Sequence, residues 1–265
     1  MTRPDVALHD QVAAACLLMR DADHVVVLTG AGISAESGVP TFRGADGLWK
    51  TYRAEDLATP EAFAHDPRLV WEWYGWRRTL VAACVPNAAH RAIASAARER
   101  PGFRVVTQNV DGLHAQASGA GGPRPLELHG SLVRTRCTRC EQRWDDRQPV
   151  DATSMATLPR CAACGGLARP DVVWFGEALD PDVLDEATRL ASAADVCLVV
   201  GTSAVVYPAA GLANVARRAG GRVIEVNIAE TPLTGAATIA IRGTAVDMIP
   251  RLLPASPETA TEVHG

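Results

Sequence analysis

Residues 30–44, GAGISAESGVPTFRG, join a glycine-rich turn to an arginine and follow directly on the apolar run Val25-Val26-Val27-Leu28. In Gly30-Ala31-Gly32-Ile33-Ser34-Ala35 the glycines let backbone N–H groups approach a pyrophosphate, and a short helix starting near Ile33 is expected to aim its positive end at the same charge. Glycine-rich turns after strands also arise for purely steric reasons, so the turn alone leaves nucleotide binding open. The acid that usually follows about twenty residues later, at the end of a second strand, is missing. The chain runs instead through Pro40, Phe42 and Arg43, so any dinucleotide fold here is a modified one.

Cys137-x2-Cys140 and Cys161-x2-Cys164 are separated by 20 residues, the zinc-ribbon arrangement in which two knuckles give four thiolates to one tetrahedral Zn2+. With all four positions taken by cysteine, no coordination position is left for a reacting water, and the metal is expected to be structural. A disulfide or redox pair is the competing reading. Cys16, Cys84 and Cys197 stand in apolar contexts and read as inert core thiols.

Residues 107–114, TQNVDGLH, leave a strand and enter a helix, which puts the amides of Gln108 and Asn109 and the carboxylate of Asp111 where a ribose or carboxamide is gripped, or where a helix is capped. Residues 126–130, LELHG, end another strand with the imidazole of His129 at the same edge. His90 and His114 fall inside helical patterns and read as structural.

These groups need a scaffold. Residues 5–19 have helical spacing, residues 24–29 form a buried strand, and strand-like runs recur at 103–107, 126–128, 196–200, 223–226 and 238–241. Helical segments at 87–100, 181–193, 208–219 and 245–253 separate most of them, which implies a parallel sheet covered on both faces. Ligands of such sheets lie beyond the carboxyl ends of the strands, where Gly30, Gln108, Asn109, His129, Gly201-Thr202-Ser203 and Asn227 all fall. Two stretches break the alternation, so residues 46–85 and 131–169 are assigned to a smaller inserted domain. Residues 1–45, 86–130 and 170–253 form the larger one, and 254–265 read as a disordered tail.

At 265 residues with a net charge of -4, the chain lacks the basic balance of a nucleic-acid binder. No stretch approaches the ~20 apolar residues of a membrane span, and the start has no signal-peptide core, so a cytoplasmic protein is expected.

Together these residues resemble the sirtuins, NAD-dependent protein lysine deacylases, over roughly residues 10–253. The matching elements are GAGISAESGVPTFRG, TQNVDGLH, LHG, RPDVVWFGE from Arg169, GTS from Gly201 and EVN from Glu225. The resemblance implies an α/β fold: a Rossmann-like doubly wound parallel sheet with a smaller inserted zinc-ribbon and helical domain. It further implies NAD+ as co-substrate, one structural Zn2+, acyl-lysine proteins or peptides as partners, and nicotinamide, O-acyl-ADP-ribose and free lysine as products. No protein nucleophile is required, because the acyl oxygen attacks the ribose as nicotinamide leaves, and His129 is the implied general base. By matching position, Gln108, Asn109, Val110 and Asp111 hold the nicotinamide side. Gly30, Ala31, Gly32, Ile33, Ser34, Phe42 and Arg43 hold the pyrophosphate side, and Gly201, Thr202, Ser203, Asn227 and Ala245 the adenosine. The substrate strand is placed between Val173-Trp174-Phe175-Gly176-Glu177 and the loop after Ser203, a case of strand addition. The competing reading makes that segment a buried connection.

Within residues 67–85, Val70, Trp73, Tyr74, Arg77, Val81 and Cys84 fall on one helical stripe, so a tyrosine and an arginine interrupt an apolar face. Arg78, one step round, is free to be solvated. An inward guanidinium needs a carboxylate, and Glu55 or Asp56 is one source. The substrate is the other: Tyr74-x-x-Arg77 resembles the motif of the sirtuin subclass that removes succinyl and malonyl groups, with Ala54 and Ala58 leaving room. An ADP-ribosyltransferase, a plain deacetylase and an NAD-sensing scaffold are the rival functions.

Overall fold

The computed structural model describes residues 3–40 and 50–254. Six strands, β1 (Val25–Thr29), β2 (Phe103–Thr107), β3 (Leu126–Glu127), β7 (Val196–Val200), β8 (Arg222–Asn227) and β9 (Ile239–Arg242), form one sheet in the order β3-β2-β1-β7-β8-β9, with every pairing parallel. β1 and β7 are buried along their whole length. That is why both read as unbroken runs of β-branched and aliphatic residues rather than alternating ones.

On one face, helices α1 (Arg3–Asp21), α5 (Ala88–Glu99) and α9 (Ala245–Leu252) pack Met19, Ile93 and Ile249 against Val25, Leu198 and Ile224. On the other, α7 (Pro181–Ala193) and α8 (Leu212–Arg218) bring Ala187, Ala191 and Leu212 against Leu28, Cys197 and Val199. Each helix start carries its own signal. The Asn87 side chain accepts from the N–H groups of Ala89 and His90, and Asp180 caps α7 one residue before Pro181.

A second body holds helices α2 (Ala54–Leu57), α3 (Pro60–His65) and α4 (Pro67–Ala82) and an antiparallel sheet in the order β5-β4-β6, formed by β4 (Gly130–Cys137), β5 (Arg143–Asp145) and β6 (Ala168–Val172). Helix α6 (Leu113–Ser118) stays with the large sheet, next to α5. β6 crosses the boundary drawn at residue 169: residues 170–172, given to the large domain from the alternation, pair with β4. An antiparallel partner supplied from outside the contiguous segment leaves no mark in local periodicity. The expected tail lies outside the described residues from 255 onward, and among the described residues no helix is long and apolar enough to cross a membrane.

Arg78 is not solvated as its helical position suggests. Its side chain, 9% exposed, runs into the small sheet, where Nε donates to Leu132 O at 2.7 Å, Nη2 to Arg134 O and Thr135 Oγ1, and Nη1 to Asp146 at 3.4 Å. The guanidinium satisfies strand carbonyls and so locks α4 to β4. Arg78→Met keeps the stem and removes these donors. We expect it to destabilise the protein by about 3 kcal/mol or more, the usual cost of breaking a buried pair. Urea unfolding followed by tryptophan fluorescence measures this, and a change under about 1 kcal/mol would contradict the clamp.

Candidate active site

The carboxyl ends of the central strands are level, Thr29 pairing with Thr107 on one side and Val200 on the other. Gly30, Gln108 and Gly201 therefore leave the sheet side by side. Gly32 N–H donates to Gly201 O at 2.8 Å, and a Cβ on Gly32 would stand 2.7 Å from that oxygen. A Cβ on Gly201, whose φ is +59°, would meet Ile33 N at 2.5 Å. Only glycine lets the two turns approach this closely.

The short helix expected to start near Ile33 is present only as 3-10 turns. Ala31–Ile33 and Ala35–Ser37 are single 3-10 turns, with Ile33 and Ser34 N–H returning to the carbonyls of Gly30 and Ala31. Such short turns carry little dipole, and the amides of Gly30, Gly32, Ile33 and Ser34 are spent inside the protein. The glycines thus act through close packing more than as an anion nest.

Around this turn lies a dense polar network. Ser34 Oγ donates to Asp111 Oδ2 at 2.7 Å and accepts from Asn109 Nδ2 at 3.1 Å. Asp111 Oδ1 accepts from Leu113 N–H at the start of α6. Burial raises the Asp111 carboxyl, against the pull of Leu113 N–H, Ser34 and Arg77. Gln108 Nε2 donates to Thr202 Oγ1 and Asn227 Nδ2 to Thr202 O at 2.7 Å, tying the ends of β2, β7 and β8 together. Ser203 follows half-buried, Val110 accepts from Leu132 N–H, and Ala245 opens α9 beside the 3-10 turn. Phe42 and Arg43 lie outside the described residues.

His129 is half-buried just beyond β3, with Nδ1 2.9 Å from Gln108 O. A carbonyl oxygen only accepts, so Nδ1 carries the proton and Nε2 is the basic nitrogen. Gly130, φ +76°, turns the chain at once into β4; a Cβ there would strike Asp171 O at 2.1 Å.

The Sγ atoms of Cys137, Cys140, Cys161 and Cys164 all lie within 4.8 Å of one another, with Cys137–Cys164 at 3.4 Å and Cys140–Cys161 at 3.6 Å. Tetrahedral Zn–S bonds of ~2.3 Å place sulfurs ~3.8 Å apart, so the four cysteines fit one zinc ion. Burial raises the Cys137 thiol, but the N–H groups of Cys140 and Arg139 and the neighbouring sulfurs outweigh it and bring it down to about 6. Such donors orient and stabilise a metal-bound thiolate. Cys197, by contrast, is pushed up to about 12 by burial alone, as suits an inert core thiol.

In the small body, Ala58, Trp73, Tyr74 and Trp174 share one apolar cluster. The Arg77 guanidinium carbon lies 4.9 Å from the Trp73 ring centre and 5.4 Å from that of Tyr74. Glu55 and Asp56 are exposed and Asp56 accepts from Arg53 N–H, while Asp111 is a carboxylate that acts on Arg77 electrostatically. Val173 is half-buried, Trp174 buried, and Phe175 and Gly176 exposed. The N–H groups of Val173, Trp174, Phe175 and Glu177 are already bonded, to His129 O, Glu177 Oε2, Ala58 O and Trp174 O.

The Sir2 family pattern matches residues 30–208. The chain belongs to the Sir2 family. It is 51% identical to an NAD-dependent protein deacylase of Thermococcus kodakarensis, over 91% of this chain and 93% of that one. With an NAD-dependent protein deacylase of Thermus thermophilus it shares 49% identity over 93% and 95% of the two chains. A crystal structure of a Sir2 homologue in complex with NAD superposes with a TM-score of 0.83 at 48% identity, covering 91% of this chain and 92% of that one. A Sir2–p53 peptide–NAD+ structure superposes at 0.76 with 34% identity, covering 89% and 94%.

Sequence reasoning set aside two histidines that this Sir2 chain places under the site. Asn87 N–H donates to His90 Nδ1, so His90 Nε2–H faces Ser34 Oγ at 3.4 Å, while His114 Nε2 lies 3.0 Å from Thr29 Oγ1 and the two rings are 4.7 Å apart. The available signal was His90 at the third position of a helix whose other buried residues are alanine and isoleucine. Asn87 was also missed: it bonds Ile33 O and Ser37 Oγ as well as capping α5.

Burial holds His90 down to about 4, with Arg91 adding to it, and His114 down to about 3, with His90 adding to it. Between their ordinary value near 6.5 and about 4, the unfolded chain therefore binds more protons than the folded one. Stability should be full above pH ~6.5 and fall as pH drops through that window, by up to about 1.4 kcal/mol per pH unit for each ring. His114→Gln, with one titrating ring fewer, should show a shallower slope in unfolding measured from pH 7 to 4. Stripping the metal with a chelator should lower the melting temperature sharply, and added Zn2+ should restore it, since structural zinc contributes about 10–16 kcal/mol to small metallo-domains.

Proposed function

We propose that this NAD-dependent protein deacylase prefers lysines whose acyl group ends in a carboxylate, succinyl and malonyl among them, while retaining action on acetyl-lysine. The observation that carries the reading is Arg77, a guanidinium set beside Trp73 and Tyr74 at the apolar cluster that includes Ala58 and Trp174. Burial is the largest influence on it and pulls its pKa down, which measures the cost of a cation held away from water. Asp111 offsets part of that cost at a distance, yet its oxygens accept from Leu113 and Ser34. An entering carboxylate would add a charged acceptor beside the guanidinium. Charge-assisted bonds of about 1.5–3 kcal/mol each correspond to roughly ten- to a hundredfold preference over acetyl.

NAD supplies the ribose that accepts the acyl group as nicotinamide leaves. With one water consumed to release the amine, nicotinamide, O-acyl-ADP-ribose and free lysine result. His129, its Nδ1 proton committed to Gln108 O, presents Nε2 as the base for a ribose hydroxyl. Asn109, Asp111 and Ser34 form the polar wall of the nicotinamide side, Gln108, Thr202 and Asn227 the opposite one. With four of its N–H groups already bonded, the 173–177 segment meets an extended peptide through its carbonyl oxygens and Gly176 N–H.

Succinyl-, malonyl- and acetyl-lysine peptides incubated with and without NAD and weighed by mass spectrometry test this. Removal should require NAD and favour the acidic groups, and His129→Ala should still bind NAD without turnover. Arg77→Met should lose the preference and keep deacetylation. A variant that still favours succinyl-lysine would sink the acid-recognition reading, and a peptide that gains ADP-ribose would favour the transferase alternative.

A further inference from the structure

The hydroxyl of Tyr74 lies in a fully buried side chain, and two groups address its oxygen. Trp174 Nε1–H donates to it at 2.8 Å, and the Arg77 guanidinium, one turn further along α4 with its carbon 5.4 Å from the ring centre, acts on it electrostatically. An indole N–H and a guanidinium are donors with no acceptor capacity. The indole therefore gives its proton to the phenol oxygen, the guanidinium can offer only more donors, and the phenol's own proton must go to some third group. That proton stays on, because burial raises the Tyr74 pKa above its ordinary value.

Trp174 is itself held on several sides. Its backbone N–H donates to Glu177 Oε2 at 2.8 Å, Glu177 is paired with Arg169, and the Arg169 guanidinium carbon lies 3.1 Å from the centre of the indole. The ring of Phe63 packs 5.3 Å away, centre to centre. The indole cannot turn to accept a proton, and it has no atom that could.

We propose that Trp174 is a positioning residue for acyl selection: its N–H fixes the Tyr74 hydroxyl as a donor beside the Arg77 guanidinium, and with no acceptor for that proton among the described residues the entering acyl terminus supplies it. This rests on the acidic-acyl reading and deepens it. A carboxylate terminus receives the Tyr74 O–H and an Arg77 N–H together. An acetyl methyl receives neither and leaves the phenol proton buried without a partner, which penalises the wrong substrate as well as rewarding the right one.

Trp174→Phe keeps a ring against Arg169 and Phe63 and deletes the N–H; benzothienylalanine at position 174 deletes it with the indole shape intact, should the phenylalanine variant fold poorly. Steady-state rates at saturating NAD with succinyl- and acetyl-lysine peptides are compared for wild type, each 174 variant, Tyr74→Phe and the double variants. Loss of the N–H should raise KM for the succinyl peptide roughly fivefold more than KM for the acetyl peptide, the worth of one neutral hydrogen bond. In the Tyr74→Phe background the same change should have no further effect. A packing role alone would raise KM for both peptides alike, or by the same factor with and without the Tyr74 hydroxyl, and either result overturns the proposal. Equal kcat/KM for the two peptides in wild type would overturn the acidic-acyl reading and this inference together, whereas a wild-type preference untouched by loss of the N–H overturns this inference alone.

Discussion

Two turns meet at the middle of the sheet with no room for a side chain between them. Gly32 N–H reaches Gly201 O, and neither residue can carry a Cβ without pressing on the other turn. This contact joins the loop after β1 to the loop after β7 at the point where the strand order reverses, which is where open parallel sheets bind ligands. Everything polar at that edge is placed relative to it. Ser34 follows the first turn, Thr202 follows the second, and Gln108 and Asn227 bond to Thr202 from the flanking strands.

Beneath the turns the protein buries polar groups and satisfies them with one another. Ser34 links Asn109, Asp111 and His90, and Thr29 links Thr107 and His114. Buried networks of this kind are stable only when each member finds a partner, which makes them stiff. They also require both imidazoles to be neutral, so the arrangement that orders the site makes it sensitive to acid.

Within the second body, two adjacent arginines have different duties. Arg78 ties α4 to the carbonyls of β4, the strand that continues into the first cysteine knuckle. Arg77, the next residue, stands with Tyr74 at the apolar cluster completed by Trp174. The cysteine ribbon, β4, α4 and the Tyr74–Trp174 cluster are therefore joined through direct contacts.

Several features were legible because they are local. The cysteine spacing and the aliphatic runs of β1 and β7 are each written within a few residues, where local geometry dictates which groups meet. The convergence of Gly30, Gln108, His129 and Gly201 at one edge followed from strand alternation alone. What the sequence could not show are contacts between distant positions: Thr29 with His114 across 85 residues, Arg78 with Asp146 across 68, and Tyr74 with Trp174 across 100. On the helical wheel Arg78 faces water and His90 faces a core. Only packing turned the first into a clamp and set the second beneath the active-site turn. The residue types and their local geometry were thus fixed by the chain itself, whereas the partners of its buried polar groups were decided by tertiary structure, because a hydrogen bond away from water depends on which surface folds over it.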